Sequence, residues 1–319
     1  MTIASEKIPI YLSNQRDLLV GVEASGGTNN LVQKLKGQGI EVRIINPNTF
    51  KAIGMGGKKT DERDARAIAE ALRLNFIPEV HHKSLYARQL KTLIVGREML
   101  VRSRVNMVNH VRGTLREYGI TMSQGMERFA AEVKSAVAKI DHAAIRQHLE
   151  YLVTQINDFS KRQLEMEGEL EKLCEDDERC RRLRTMPGIG LMTAVTFVAV
   201  LDELDRFKDG KSFASYIGLV PREHSSGDKR RMGSITRSGS ELLRRYFIHG
   251  ARSVLMYAST KGNKMYDPNR DWALKLKARV GMNKATVALA HRMSRVAYAM
   301  LRDGTDYKKS QPTDPGKAA

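Results

Sequence analysis

The sequence predicts a mixed fold, α/β at its start and helical after it, on three observations. The apolar runs LLVGVE (18–23) and EVRIINP (41–47) bracket the helical pattern NNLVQKLKGQG, the rhythm of parallel strands joined by a crossover helix. From about 85 to 183, apolar residues recur at three- and four-residue steps, as on a long helical seam. Beyond that, LRTMPGIGLMTAVTFVAVL (183–201) sets a proline–glycine turn between two apolar helical patterns.

Gly26 and Gly27 break the first strand, and Thr28 is expected to cap the helix after it. Glu23 closes that strand at its carboxyl end, where α/β folds place ligands. Pro47 ends the second strand, Gly54, Gly56 and Gly57 mark a loop, and Thr60 is the expected cap of DERDARAIAEALRL. The order implies a doubly wound, mostly parallel sheet. KIPIYLS (7–13) is a candidate for one more strand. Asp61 and Asp64 stand one turn apart on one helix face. Capping through the helix dipole is the plain explanation of such a pair. With Glu23 at a neighbouring strand end, however, three carboxylates are expected to converge. Hard oxygen donors without His or Cys suit Mg²⁺ or Mn²⁺. Lys58 and Lys59 directly precede that helix and would hold a nucleic-acid backbone.

Leu90, Ile94, Val101, Val108, Val111, Leu115 and Tyr118 form one seam, shared with Arg97 and Arg104. Leu152, Ile156, Phe159, Gln163, Met166, Leu170 and Leu173 form a second. Together they predict a long antiparallel coiled coil, a scaffold or an oligomer interface. Gly119 and Gly125 mark 119–140 as a turn or hinge. PGIG (187–190) resembles the helix-hairpin-helix element of DNA-binding proteins, with Gly188 and Gly190 exposing backbone N–H groups to a phosphate. A plain helical corner is the alternative. The tail after Asp303 is expected to be disordered.

Charge narrows the function classes. The 319 residues hold 54 Lys and Arg against 36 Asp and Glu, a net charge of +18, which argues for a polyanionic partner. No apolar run reaches the roughly 18 residues that suggest a membrane span, and MTIASEKIPIYLSNQ lacks the apolar core of a signal peptide. A nucleic-acid partner in the cytosol is therefore expected. Cys174 and Cys180 have no partners at zinc spacing and read as free thiols. Residues 222–252 carry eight basic and three acidic side chains, and 270–295 carry seven and one. The candidates for backbone contact there are Arg222, Lys229, Arg230, Arg231, Arg237, Arg244 and Arg245. Trp272 and Tyr266 either pack or stack on a base. Solvated or core roles suit most of the histidines, His81, His82, His249 and His291 among them.

VEASGG (22–27), INP (45–47), KTDERDARAIA (59–69), LRTMPGIGLMTA (183–194), FASYIGLVPREHSSG (213–227) and GSITRSGSELLRR (233–245) carry a resemblance. In that order, and over nearly the whole chain, they resemble the DEDD transposases of insertion-sequence family 110, relatives of the pilin-gene invertases. The resemblance implies a DNA recombinase of three parts, to which the compositional reading adds a tail. These are an RNase H-like, resolvase-type metal-binding domain (1–80), a helical coiled-coil region (81–182), a C-terminal transposase domain (183–303) and a tail (304–319). It implies four acidic metal ligands, the last three matching Glu23, Asp61 and Asp64. It also implies a serine nucleophile in the C-terminal domain, which completes the active site with the metal-binding domain. The match falls on Ser226, before Gly227, with Ser225 next if the register differs by one. A free hydroxyl is a weak nucleophile and needs a base or metal, plus cations for the developing charge. His224, two residues before, is a candidate to assist proton transfer. A polar turn is the plain reading of HSSGDKRRMG.

The same resemblance implies a bridge RNA that pairs with target and donor DNA. It further implies a homodimer or homotetramer that shares active sites. The family's first metal aspartate lies on a strand upstream of VEASGG. Only 22 residues precede Glu23, and Asp17 stands just ahead of the wrong element. An N-terminally shortened domain with three of four ligands is therefore expected, inactive or weakly active in strand exchange. Two alternatives stay open. A catalytically dead nucleic-acid-binding remnant would be indifferent to Ser226→Ala and Asp61→Ala. A metal-dependent junction nuclease would keep cutting after Ser226→Ala.

Overall fold

The computed structural model describes residues 3–15, 17–46, 60–75, 79–225, 231–260 and 267–308. It divides into two compact units, Met1–Ser84 and Leu85–Ala319. In the first unit KIPIYLS is not a strand. A 3-10 turn, Ser5–Lys7, leads into helix α1 (Ile8–Leu12), which has Pro9 in its first turn. Proline has no ladder donor but fits a first helical turn. Ile8 and Leu12, four residues apart, then pack against the unit's core.

Two parallel strands follow, β1 (Leu19–Glu23) and β2 (Glu41–Ile45), with Leu19 opposite Glu41 and Glu23 opposite Ile45. Their crossover helix is α2 (Thr28–Gly37), which buries Val32 and Leu35 against Val42 and Ile44. Gly27, not Thr28, caps it, because the chain enters at φ 87°, a left-handed value that glycine tolerates. Thr28 is the first helical residue. Its hydroxyl donates to the Glu23 carbonyl (2.8 Å) and accepts the Ser25 N–H (3.0 Å), which ties the turn to the end of β1. Helix α3 (Asp61–Arg73) is capped as the sequence predicts, with the Thr60 hydroxyl accepting the Arg63 N–H at 3.3 Å. Among the described residues the sheet holds only these two strands and an isolated antiparallel bridge, Ile45 to Glu79.

The second unit is mostly helical. Helices α4 (Leu85–Glu117) and α6 (Ala143–Asp176) flank α5 (Met126–Val137). α4 and α6 run antiparallel: Arg97 meets Glu167 at 2.5 Å and Arg104 meets Ser160 at 3.4 Å, so one number rises as the other falls. Leu90, Ile94, Val108, Val111 and Leu115 are buried as expected, while Tyr118 is exposed. On α6 the buried line is Leu149, Val153, Ile156, Gln163, Met166, Leu170 and Cys174. The stretch 119–140 is not a simple hinge. Phe129, Val133, Ala136 and Val137 make α5 amphipathic and bury it against Val111, Leu115, Leu149 and Val153. Gly119 (φ 74°) and Gly125 (φ 102°) flank that helix and leave it uninterrupted.

The chain continues through α7 (Glu178–Arg184), α8 (Leu191–Leu201), α9 (Gly210–Tyr216), β3 (Pro221–Glu223), β4 (Met232–Ile235), α10 (Glu241–Thr260), α11 (Pro268–Val280) and α12 (Met282–Arg302). α8 is central, with every residue from Thr193 to Leu201 buried. One core joins Leu90 and Ile94 of α4, Leu170 and Cys174 of α6, and Phe197, Phe213, Phe247 and Leu289. Packing therefore runs unbroken across residues 182 and 183. Cys174 and Cys180 are free and buried within it. The start of the tail is packed, which corrects the expectation of disorder from 304. The Tyr307 hydroxyl bonds Asp267 (3.0 Å) and Asn269 (2.9 Å), and its N–H donates to the Thr185 hydroxyl (2.9 Å). Among the described residues no helix is long and apolar enough to cross a membrane.

Candidate nucleic-acid interface

In the second unit a cleft of about 1930 Å³ is lined by α10, α12, both strands of the β3–β4 hairpin, the start of α9 and Trp272 of α11. Eight basic and two acidic side chains face it. The two basic runs of the sequence meet here, Arg237, Arg244 and Arg245 from the first, Lys284, Arg292 and Arg295 from the second. Lys211 and Arg302 join them, and neither was singled out from sequence. A signal for the α12 wall did exist: residues 284, 288, 291, 295, 299 and 302 step by three and four, so they share one helix face.

These cations do different work. Arg244 is buried, and its Nη1 donates to the carbonyls of Ile217 (3.0 Å) and Ser238 (2.8 Å). Burial pushes its pKa down. Its bonds to the two carbonyls brace the wall, a structural role beside the phosphate contact expected of it. Arg245 pairs with Glu98 of α4, which also accepts from the Tyr246 hydroxyl (2.5 Å) and Arg97 (2.7 Å). Arg222 donates to the Thr236 carbonyl at 3.2 Å. Among the described residues Lys211, Arg231, Arg237, Lys284, Arg292 and Arg295 make no ion pair, although Lys211 lies near enough to Asp209 to help lower its pKa. Burial, with Arg295 adding to it, lowers the pKa of His291.

The β3–β4 hairpin forms part of the rim. Its antiparallel strands pair Pro221 with Ile235 and Glu223 with Met232, and Pro221 and Met232 to Ile235 line the cleft. The loop between them contains Ser226. That residue, Gly227, Lys229 and Arg230 lie outside the described residues, as do Lys58, Lys59 and Tyr266. The loop's described ends are closed by hydrogen bonds. The Ser225 hydroxyl donates to Glu223 (2.8 Å) and accepts the Arg231 N–H (3.2 Å), while the His224 N–H donates to the Arg231 carbonyl (2.9 Å). Ser225 thus closes the hairpin.

The acidic candidates belong to the first unit. α3 sits on β1 over a missing side chain: a Cβ on Gly21 would fall 2.5 Å from Ile68 Cγ2 and 2.6 Å from Leu72 Cδ1. Asp61, Asp64, Ile68 and Leu72 form one stripe of α3. Glu23 lies two residues beyond Gly21 and so points to the same sheet face. Asp61 and Glu23 are exposed, and Asp64 is half-buried. The expected convergence is not a formed cage. Among the described residues no three His, Cys, Asp or Glu side chains are grouped to hold a metal ion. The donors fit a hard cation in type and in shared face, not as a closed shell. Asp17 precedes β1 at φ 55°.

PGIG is a packing joint. Gly188 has φ 85°, and a Cβ there would lie 2.9 Å from the Gly250 carbonyl oxygen. A Cβ on Gly250 would lie 2.0 Å from the Gly188 oxygen. Gly188 therefore serves backbone-to-backbone contact between this turn and α10. Gly190 is exposed at the start of α8, where no side chain caps the helix.

Comparison with known proteins adds to this geometry. Residues 6–120 match the DEDD transposase model of the IS110 group, described as "Transposase", and residues 180–267 match the model described as "Transposase IS116/IS110/IS902 family". The chain is 33% identical over 304 residues to the transposase for insertion sequence element IS1111A of Coxiella burnetii, covering 93% of this chain and 82% of that one. It is 31% identical to a Pseudomonas aeruginosa protein described as "Probable family 20 transposase", covering 91% and 86%. It is 27% identical to the transposase for insertion sequence element IS1328 of Yersinia enterocolitica, covering 94% and 88%.

Proposed function

The chain belongs to the IS116/IS110/IS902 family of transposases, DNA-recombining enzymes, and from that premise we propose that it exchanges DNA strands through a covalent serine–DNA intermediate. One observation carries the reading: the two strands that bracket Ser226 in sequence line a cleft in which Lys211, Arg237, Lys284, Arg292 and Arg295 make no ion pair among the described residues.

In this reading Lys211, Arg237, Lys284, Arg292 and Arg295 hold the phosphates of the duplex. The Ser226 oxygen bonds to a backbone phosphorus as a sugar oxygen leaves with a proton. The phosphodiester count is unchanged, so the step reverses onto a new strand without an energy source. Arg222, Lys229, Arg230 and Arg231 stabilise the charge on the phosphoryl oxygens. Glu23, Asp61 and Asp64 would hold Mg²⁺ or Mn²⁺, which supplies Lewis-acid stabilisation of that charge when bound. Residues 1–80 act as the RNase H-like metal-binding domain, and α4 and α6 form the coiled coil of a dimer or tetramer. A bridge RNA supplies target choice by base pairing.

The test uses the full chain with its element's RNA, Mg²⁺ and a DNA carrying the recombination site. Wild-type protein should leave a DNA-linked band on a denaturing gel, and Ser226→Ala and Asp61→Ala should each abolish it. DNA cleavage that persists in Ser226→Ala would transfer the reading to a metal-dependent nuclease. A wild-type band that both substitutions leave intact would remove both residue sets from the chemistry.

A further inference from the structure

Trp272 is the only tryptophan in the chain. It stands on α11 at the cleft wall with 37% of its surface exposed. Its ring is not bare: the Arg292 guanidinium lies 4.9 Å from the ring centroid. An indole usually buries most of its large apolar surface. Here a substantial part is left facing a cleft whose other prominent groups are cations. Phosphate binding alone needs no such group, because the anion is met by the arginines and lysines. A flat apolar face beside cations is instead the combination that binds an unpaired nucleotide, base on the ring and phosphate on the guanidinium.

We propose that Trp272, backed by Arg292, is a stacking subsite for one unpaired nucleobase in a strand lying along the cleft. This rests on the reading of the cleft as the nucleic-acid surface and adds to it a preference for opened strands over intact duplex. Arg292 stacked on one side keeps the ring upright and places positive charge beside the nucleotide's phosphate. Lys284 and Arg295, on the same α12 face as Arg292, carry the neighbouring phosphates. A nucleobase is common to DNA and RNA strands, so the chemistry of the subsite is a base on a polyanion. Deoxy and ribo probes separate the two sources.

Because the chain has a single tryptophan, fluorescence excited selectively at the indole, past tyrosine absorption, reports this one position. The full-length protein is titrated with a 12-nucleotide deoxyribo-oligonucleotide, its ribo equivalent, the same-length abasic strand and an intact duplex. Base-bearing single strands should quench Trp272 emission while the abasic strand, with the same phosphates, leaves it nearly unchanged. By labelled-strand anisotropy, Trp272→Leu should weaken single-strand binding by between about fivefold and a hundredfold. Trp272→Phe should restore much of that loss, and duplex binding should be the same in all three proteins. Equal quenching by base-bearing and abasic strands, or single-strand affinity unchanged in Trp272→Leu, would overturn the subsite while salt-dependent duplex binding left the cleft reading standing. Absence of binding to every probe would overturn both.

Discussion

At the scale of single residues, the informative side chains are those whose charge is already committed. Glu98 is 12% exposed and accepts from three donors on two helices, Arg97, Arg245 and Tyr246. Burial alone would raise its pKa. The Tyr246 hydroxyl, Arg245 and Arg97 outweigh that, and the net value lies below the usual 4.5. A carboxylate depressed in the folded state contributes stability above its unfolded pKa and loses it as pH falls through the folded one. Glu98→Gln should therefore cost about 1–3 kcal/mol at pH 7, a deficit that shrinks as the pH drops below 4. Urea unfolding at pH 7 and pH 3 checks this, and an equal deficit at both would show that the charge is not what matters. Neither Glu98 nor the burial of Arg244 was legible in the sequence. Their partners, Tyr246 and Arg245 for the first and the Ile217 carbonyl for the second, lie 148, 147 and 27 residues away, and composition registers only that arginines are plentiful.

At the scale of elements, local pattern served well where periodicity and cap chemistry agree. β1, β2, α3 with its Thr60 cap, and the antiparallel α4–α6 pair could all be read from spacing. α1 was misread because IPIYL is apolar enough for a strand, and only the proline in its first turn argues for a helix. α5 was missed because two flanking glycines looked like a break through the whole segment. Gly21 could be read as a weak point in a strand, yet its purpose emerges only when α3 is laid across it. Gly21→Ala should push Ile68 and Leu72 outward, cost about 1–3 kcal/mol, and shift Asp61 and Asp64 relative to Glu23. Mg²⁺-dependent DNA attachment should then fall by more than the loss of folded protein explains. Gly26→Ala, where an added Cβ meets nothing within 4 Å, is the matched control. Wild-type stability in Gly21→Ala would mean that α3 does not rest on this strand position.

At the scale of the whole molecule, the question is whether +18 acts as a diffuse field or through the cleft. Net charge predicted a polyanionic partner, and the basic runs 222–252 and 270–295 pointed to the segments that line the cleft, but not to their meeting in one place. The fold concentrates the unpaired cations by laying one face of α12 opposite the β3–β4 hairpin, which no local pattern reveals. The two possibilities differ in salt response. A diffuse field mainly speeds encounter, and every lost positive charge should slow association alike. A phosphate contact releases a counterion, so log K against log salt should flatten by about 0.9 for each contact removed from duplex DNA. Lys284→Ala and Arg295→Ala should each reduce the slope by that amount, and together by about twice it. Lys161→Ala, an exposed lysine on α6 outside the cleft, should lower the association rate slightly and leave the slope unchanged. Binding titrations from 50 to 300 mM salt separate the cases, and equal slopes for all three single variants would show that duplex DNA is not held in this cleft.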